Sequence, residues 1–464
     1  MTNRSQCPSL VTIALLAPLL FSCTPVPAPP VAQNLVLVSL DTTRRDHLGT
    51  YGYERDTSPK IDALAQTSAV FLNAFAQFTT TKPSHTSMFT GLYPHTHGVG
   101  TSTRLLAQER LTLAEILRDE GFDTGAFLSG FPFRVGRKGL DQGFDIFDVE
   151  FEDARRDGRE TTGRALSWLQ GRDPDERFFL FLHLYDAHGP YRPDEEYEGL
   201  FRSETLGPEL HDIPEYQKLT DEDGAPLTHL NAYVDRYDAM IRYQDDLVGD
   251  LLSAVDLDQT VVLVTSDHGE SLGERTQVLD HGRNVFDEQI RIPLILHTPG
   301  GKPARHRQIA ETVDFLPTLL DILRVPRPEM EIQGKSLVAV LEGESQTSDG
   351  VTFSSCRVGT EDHSDKSYVL DDRKPLHSIR GDRWKLIVYP GLDREFVELY
   401  DLEQDSLETA PLEPPDAPGD RQQAFAELQG RFRSWLGPSH NSAETEVLSP
   451  EDIEKLQALG YLGD

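Results

Sequence analysis

Between residues 34 and 264 three apolar runs of strand length stand out, and polar residues follow each of them. Asn34 to Leu40 (NLVLVSL) leads into Asp41, Phe178 to Leu184 (FFLFLHL) into Tyr185-Asp186-Ala187-His188, and Val261 to Val264 (VVLV) into Thr265-Ser266-Asp267-His268. Runs that are apolar throughout, rather than alternating, suit strands whose sheet is covered on both faces. Between them lie helix-like stretches: Ser58-Pro59 to Ala69, Leu111 to Glu120, and a longer one in which Tyr233, Tyr237, Ile241, Leu247 and Leu251 recur near three-to-four spacing. Strands alternating with helices predict an α/β fold, a mostly parallel central sheet with helices on both faces. The strand carboxyl ends then share one edge, which is where ligands bind in such sheets.

From about Val351 the pattern shifts to short alternating strands, clearest in Ser378 to Tyr389 and Phe396 to Leu402, which predict a small antiparallel sheet. Glu403 to Asp420 is acidic and proline-rich and reads as a surface connection. Phe425, Leu428, Phe432 and Trp435 form one helix stripe. A last short helix has Ser449 as N-cap, Pro450 at its first position, Asp452 in its first turn and Gly460 to stop it. Residues 34–350 are therefore expected to form one large α/β domain and 351–464 a smaller C-terminal unit.

The amino end follows another logic. Leu10 to Phe21 (LVTIALLAPLLF) is apolar but too short to span a bilayer as a helix. With Arg4 ahead of it, the run reads as the core of a secretory signal. Leu20-Phe21-Ser22-Cys23 resembles a bacterial lipobox, with Phe21 atypical for it, so Cys23 is the expected lipidated first residue of the mature chain. An ordinary signal peptide cleaved nearby is the alternative. Residues 1–22 are thus read as a lipoprotein signal peptide and 23–33 as a proline-rich tether of extended polyproline character. The expected location is the bacterial cell envelope, held to the membrane through the lipid on Cys23, at the periplasmic or outer-membrane face.

Composition narrows the function. With 44 Lys+Arg against 77 Asp+Glu in 464 residues, the formal charge is -33. A nucleic-acid partner is excluded, because affinity for a phosphate backbone comes from cationic neutralisation. Three cysteines, two of them at Cys7 and Cys23, cannot make a disulfide framework, and Cys356 is read as a structural thiol.

Asp41 and Asp267 at two strand ends, with His268 beside the second, would turn two carboxylates and an imidazole toward one edge. That donor set suits Ca²⁺, Mg²⁺ or Mn²⁺ and is acceptable to Zn²⁺. By spacing alone, an Asp-His pair after a strand is more often a helix cap or loop pair than a metal site. The segment Thr79-Thr80-Thr81-Lys82-Pro83-Ser84-His85 adds to it. Pro83 suits a first helical position and Gly91 a stop, so Thr81 is expected just before a helix N-terminus, where an anion is favoured. A hydroxyl there, touching a metal, would become an alkoxide able to attack phosphorus or sulfur. A threonine-rich turn capping a helix is the structural alternative.

Many ordered blocks resemble the sulfatase branch of the alkaline phosphatase superfamily. They include Leu37 to Gly49 (LVSLDTTRRDHLG), Thr81-Lys82-Pro83-Ser84-His85, Thr90-Gly91-Leu92-Tyr93-Pro94, Asp186 to Tyr191 (DAHGPY) and Ser266 to Glu270 (SDHGE). Arg291-Ile292-Pro293, Val313 to Leu319 (VDFLPTL) and Leu459-Gly460-Tyr461-Leu462 also fit. The resemblance implies an alkaline-phosphatase-like αβα sandwich with a smaller C-terminal antiparallel-sheet domain. It implies one divalent metal on Asp41, Thr81, Asp267 and His268, with Thr81 also the nucleophile. His188 would contact the transferred group, and His281 in Asp280-His281-Gly282 would protonate the leaving oxygen or serve only as a loop histidine. Lys82, His85 and Arg283 are candidates to balance substrate anionic charge, although Lys82 and Arg283 also fit plain surface cations.

The departures from the family pattern carry weight. Sulfatases place Cys or Ser first in the C/S-x-P-x-R motif and oxidise it to formylglycine, whereas oxidised threonine would be a ketone, so no formylglycine is expected at Thr81. His85 replaces the arginine, and Thr42 replaces a second aspartate. The usual Gly-Lys lysine is not evident in Phe127-Leu128-Ser129-Gly130-Phe131. A set of Asp, Thr, Asp and His resembles instead the one-metal phosphoryl-transfer members of the superfamily. The expected activity is metal-dependent hydrolysis of a small or glycan-linked anionic ester, with phosphodiester or phosphonate favoured over sulfate. The alternatives are an inactive glycan- or anion-binding lipoprotein and a phosphoryl transferase to an alcohol. His95 and His97 have a metal-like spacing that a loop after the Thr81 helix explains as well.

Overall fold

Apolar runs become strands here because each has two faces to bury. On β1 (Asn34–Leu40), Leu35 and Leu37 join the core on one side of the sheet, while Val36, Val38 and Leu40 join the core on the other. The central sheet continues with β2 (Ala69–Phe75), β3 (Asp123–Leu128), β4 (Ile146–Asp148), β5 (Phe178–Leu184), β6 (Thr260–Thr265), β7 (Arg291–Ile292), β8 (Leu294–His297) and β9 (Ala304–Glu311). This computed structural model describes residue 1 and residues 32–458, excluding 102–103, 135–136, 222, 276–277, 345–349, 358–373, 413–418, 438–443 and 446–448. The lipobox, most of the tether, Gly460 and the closing Leu459 to Leu462 lie outside the described residues. Ala32 is buried, and Gln33 N donates to Gln259 O at 2.8 Å, so the folded body starts slightly ahead of β1.

In space β9 lies on one edge of β2, and β8, continued by the short β7, lies on the other. Then come β6, β1, β5, β3 and β4. These last five are mutually parallel, with Ser39 of β1 opposite both Thr265 of β6 and His183 of β5. The carboxyl ends of β6, β1 and β5 are therefore neighbours on one edge.

Helices cover both faces. One carries α1 (Pro59–Ala65), α4 (Gly158–Gly171) and α5 (Leu230–Ser253), with Ile61, Ala165, Tyr237, Ile241 and Leu251 buried on the sheet. The other carries α2 (Thr81–Thr90), α3 (Leu113–Asp119) and α6 (Phe315–Leu323), through Met88, Phe89, Leu117, Leu316 and Leu319. Thr112 starts α3 with a capping box to Glu115, and Asp157 caps α4. Among the described residues no helix is long and apolar enough to cross a membrane.

Several sequence expectations need correction. The helix from Ser58 stops at Ala65, because the hydroxyls of Thr67 and Ser68 donate to Leu64 O and close the turn, and Ala69 opens β2. Thr81 is the first residue of α2, not the one before it. Extended Thr80 is the cap, Ser84 N reaches Thr80 O at 3.2 Å, and Pro83 sits deeper in the first turn, where a missing N–H costs nothing. The segment Ser378 to Tyr389 is a hairpin rather than one strand, turning at Asp382-Arg383.

That hairpin belongs to the C-terminal antiparallel sheet of β10 (Val351–Cys356), β11 (Leu376–Gly381), β12 (Trp384–Pro390) and β13 (Glu395–Asp401). Helix α7 (Asp420–Leu436) lays Leu428 and Phe432 on one face, over Ile379, Leu386 and Leu399. The other face, with Cys356, Leu376 and Ile387, packs on Phe75, Val285 and Ile290 of the main body. Glu408, in the stretch read as a surface connection, is buried at 1% exposure against Lys385.

Gly91 ends α2 with φ 66°, and a Cβ there would meet Ile332 Cγ2 at 3.2 Å. Gly91→Ala is expected to lower unfolding free energy by about 1–2 kcal/mol, read from urea unfolding curves, because both the left-handed backbone and the tight contact oppose a side chain.

Candidate active site

The sheet edge assembles the site from three adjacent strand tips and one helix start. Asp41 follows β1, and its N–H donates to Leu184 O at 2.9 Å, pinning the β1 tip to β5. Asp267 lies just past β6, and its carbonyl accepts from Ser84 Oγ of α2 at 2.7 Å, so the helix start is tied to that tip. Thr81 Oγ1 donates to Asp41 Oδ2 at 3.2 Å. Asp267 Oδ1 accepts from His268 N at 3.0 Å and from Thr42 N at 3.4 Å. Thr42 adopts φ 54°, which folds this backbone N–H inward.

Asp41, Thr81, Asp267 and His268 are each fully buried. Oxygens of Asp41 and Asp267 and a ring nitrogen of His268 lie within 4.8 Å of one another. Asp41 Oδ1, Asp267 Oδ2 and His268 Nε2 are buried and make no hydrogen bond among the described residues. Burial raises the Asp267 carboxyl, and the Asp41 carboxylate raises it further. Burial likewise raises Asp41. Two crowded carboxylates and an imidazole nitrogen with no hydrogen-bonding neighbour are the donor set that a divalent cation satisfies. The residues present fit the group that the sequence implies.

Two further histidines gather beside this set. His268 and His281 have ring centroids 4.4 Å apart, and His188 and His281 4.9 Å. The His188 ring stacks on Tyr185 at 4.2 Å, its Nδ1–H donates to Gly189 O at 2.8 Å, and Arg155 holds its carbonyl at 3.0 Å. Burial keeps His188 neutral, well below the usual histidine range. Burial works against the imidazolium of His281 too, but the Glu270 carboxylate, 3.3 Å from Nδ1, outweighs it and pushes the group up to about 9.

The proposed charge-balancing residues scatter. Lys82 is 1% exposed in the first turn of α2. Arg283 stands 3.6 Å from Asp280 with its side chain 30% exposed. His85 is corrected outright: its Nδ1–H donates to Thr81 O at 2.7 Å, its Nε2 accepts from Ser39 Oγ at 2.9 Å, and its ring packs on Phe133. With both nitrogens committed and burial lowering it to about 3, it supports the site from beneath instead of facing substrate. Sequence reasoning missed His183, whose Nε2–H donates to Asp41 Oδ2 at 3.1 Å, and gave Glu270 no role. His183 had one signal, being the sole polar residue of FFLFLHL.

His97 is a core hydrogen-bonding residue. Its Nδ1 accepts from Val99 N and its Nε2–H donates to Ser87 Oγ, each at 3.1 Å. His95 packs instead on Trp435 with centroids 4.5 Å apart.

With this geometry in place, the comparisons with known proteins assign the class. Residues 33–325 match the sulfatase family model, and residues 276–417 match the model described as N-sulphoglucosamine sulphohydrolase, C-terminal. The chain belongs to the sulfatase family and is an ester hydrolase of that family. The choline-sulfatase of Rhizobium meliloti is 29% identical over 451 residues, covering 84% of this chain and 84% of that protein. The crystal structure of the phosphonate monoester hydrolase of Agrobacterium radiobacter superposes with TM-score 0.70 at 20% identity, over 90% of this chain and 100% of that one. A structure solved with its substrate, D-glucosamine-2-N,6-O-disulfate, gives TM-score 0.74 at 20% identity, over 88% and 99%. Both structural likenesses bear on the fold alone.

Burial lowers His97 from 6.5 to about 3, so the unfolded chain takes up its proton first. The stability it contributes is complete above pH 6.5 and is lost as pH falls from there toward 3. Between about pH 7 and about pH 5.5, wild type is expected to lose about 1 kcal/mol more than His97→Asn, whose amide oxygen still accepts from Val99. Urea unfolding at both pH values measures the difference.

Proposed function

We propose that this chain is a metal-dependent hydrolase in which Thr81 Oγ1 attacks the central atom of an anionic ester, with phosphodiester or phosphonate esters favoured over sulfate esters. The observation that carries the reading is the Thr81 hydroxyl, 3.2 Å from Asp41 Oδ2 and beside the buried Asp41, Asp267 and His268 donors. A divalent cation on those residues supplies positive charge that favours the ionised hydroxyl and neutralises the oxygens of the transferred group.

Thr81 Oγ1 forms the new bond to phosphorus as the ester's bond to its alcohol breaks on the opposite side. His281, kept cationic by Glu270, gives its proton to the departing oxygen. It is then neutral and can take a proton from the water that attacks the Thr81 ester, which releases a phosphate monoester or a phosphonate, returns Thr81 Oγ1 in the ionised form with which it attacked, and recharges His281. His188, neutral and fixed by the Gly189 carbonyl and Arg155, orients the transferred group.

Phosphorus is favoured because threonine lacks the second hydroxyl that lets a formylglycine hydrate expel sulfate without renewed attack at sulfur. Threonine in place of the formylglycine precursor also favours a second reading, a scaffold that binds an anion without turning it over.

Assays of the soluble chain with Mn²⁺, Ca²⁺ and Zn²⁺ on aryl phosphodiester, phosphonate and sulfate esters separate these readings. Thr81→Ala is expected to lower kcat by at least about a thousandfold, with Thr81→Ser retaining part of the rate. An alanine variant as active as wild type would sink the mechanism. Product formed only when an alcohol is supplied identifies a transferase, and tight ligand binding without turnover identifies the scaffold.

A further inference from the structure

The two oxygens of Asp41 are treated differently by the protein. Oδ2 accepts from Thr81 Oγ1 at 3.2 Å and from His183 Nε2–H at 3.1 Å, while Oδ1 is buried and makes no hydrogen bond among the described residues, on a carboxylate grouped with the Asp267 and His268 donors. A carboxylate with one oxygen held by two donors has lost its freedom to rotate, and the other oxygen is the one presented to a ligand. Only the donor from β5 remains fixed when Thr81 reacts.

His183 is built for this task. It lies on β5 opposite Ser39, fully buried, with its ring T-shaped to Phe133 at 4.7 Å and to His85 at 5.2 Å. Its Cε1 sits so close to Gly130 that a Cβ there would come within 3.2 Å. The carboxylate acceptor fixes the tautomer with the proton on Nε2. The Nε2–H bond sets the direction of the Asp41 carboxylate, whose negative charge attracts a cation. A lysine or arginine in the same position would compete with the cation for that charge.

His85, His183 and Asp267 also lie close enough to hold a metal. That alternative fails on the bonds of His85, because Nδ1–H is committed to Thr81 O and the Nε2 lone pair to Ser39 Oγ. One cation centre remains, with His183 behind it.

We propose that His183 is a positioning residue of the cation centre, setting Asp41 so that Oδ1 is offered to the divalent ion. The proposal rests on the reading of Asp41 as a cation ligand. Metal-coordinating groups usually depend on such outer partners, and losing one weakens binding by about 10–100-fold.

The test is Mn²⁺ affinity of the metal-free full chain by isothermal titration calorimetry, with thermal unfolding of each metal-free variant as the folding control. His183→Leu is expected to bind Mn²⁺ about 10–100-fold more weakly than wild type, and His183→Gln, whose amide nitrogen reaches the Nε2 position, within about threefold of it. If the leucine variant does not fold, His183→Phe takes its place. Wild-type affinity in His183→Leu beside lost affinity in Asp41→Asn overturns the role of His183 and leaves the cation centre standing. Equal weakening in the leucine and glutamine variants also overturns it, since packing of the ring would then be what matters. Unchanged affinity in Asp41→Asn overturns the cation-ligand reading and this proposal together.

Discussion

Two carboxylates on neighbouring strand tips, both removed from water, dominate the energetics of this molecule. Like charges at about 4 Å repel by about 4 kcal/mol at an effective dielectric of 20, and desolvation adds several kcal/mol for each ion. Asp41 and Asp267 stand in this relation because β1 and β6 pair in parallel, which aligns their carboxyl ends. The protein relieves the strain only in part with its own cations, through His281, which Glu270 keeps charged and which favours the Asp41 carboxylate. Arg44, close in sequence, turns away to Asp46, Glu274 and the Glu270 carbonyl. The imidazoles of His85 and His183 beneath the pair are held neutral by burial. A negative pocket compensated only in part in this way suits a counter-charge from outside the chain.

Helix α2 makes sense against the same constraint. Its first turn contains no acidic residue, and its N-terminal end, where backbone N–H groups point outward, approaches the negative pair. An anionic group arriving at Thr81 would therefore meet the positive end of a helix. The Ser84 bond to the Asp267 carbonyl and the His85 bonds to Thr81 O and Ser39 fix the depth of the helix relative to the strand tips. A hydroxyl on a loop would lack that anchoring, and small misplacements of a reacting group are costly.

What the sequence disclosed follows from which contacts are local. A strand run ending in Asp, or in Asp-His, is visible in the linear text, and so is a threonine before a proline and a terminating glycine. The α/β sandwich and its antiparallel appendage were readable for the same reason, since periodicity is a local signal. His183 was hidden, because its identity as a donor depends on Asp41, 142 residues earlier. His85 was visible as a replacement for arginine, but only Ser39, 46 residues away, shows that its second nitrogen is taken. Glu408 looked like part of a solvated acidic stretch, and only the fold brings Lys385 to meet it.

Glu408 also explains why the second sheet matters to the first. Lys385 on β12 is fully buried against Glu408 and Asp287, and Arg380 on β11 makes 3.0 Å contacts to both oxygens of Asp287. Glu408 Oε2 in turn accepts from Asp287 N at 2.7 Å. Burial opposes the Asp287 carboxylate, yet Arg380 and Lys385 hold it ionised. A buried charge cluster of this kind is a poor source of stability but a strict determinant of geometry, because every partner left alone would be a desolvated ion. The geometry it fixes is the turn from Asp287 to Ile290. There Gln289 accepts from Gly282 N at 3.0 Å through its side chain and from Gly269 N at 2.8 Å through its backbone. Those two glycines adjoin His281 and His268. The C-terminal sheet thus reaches His268 and His281 through one turn, and the spacing between His281 and the Asp41, Asp267 and His268 donors is set from outside the sheet that carries the carboxylates.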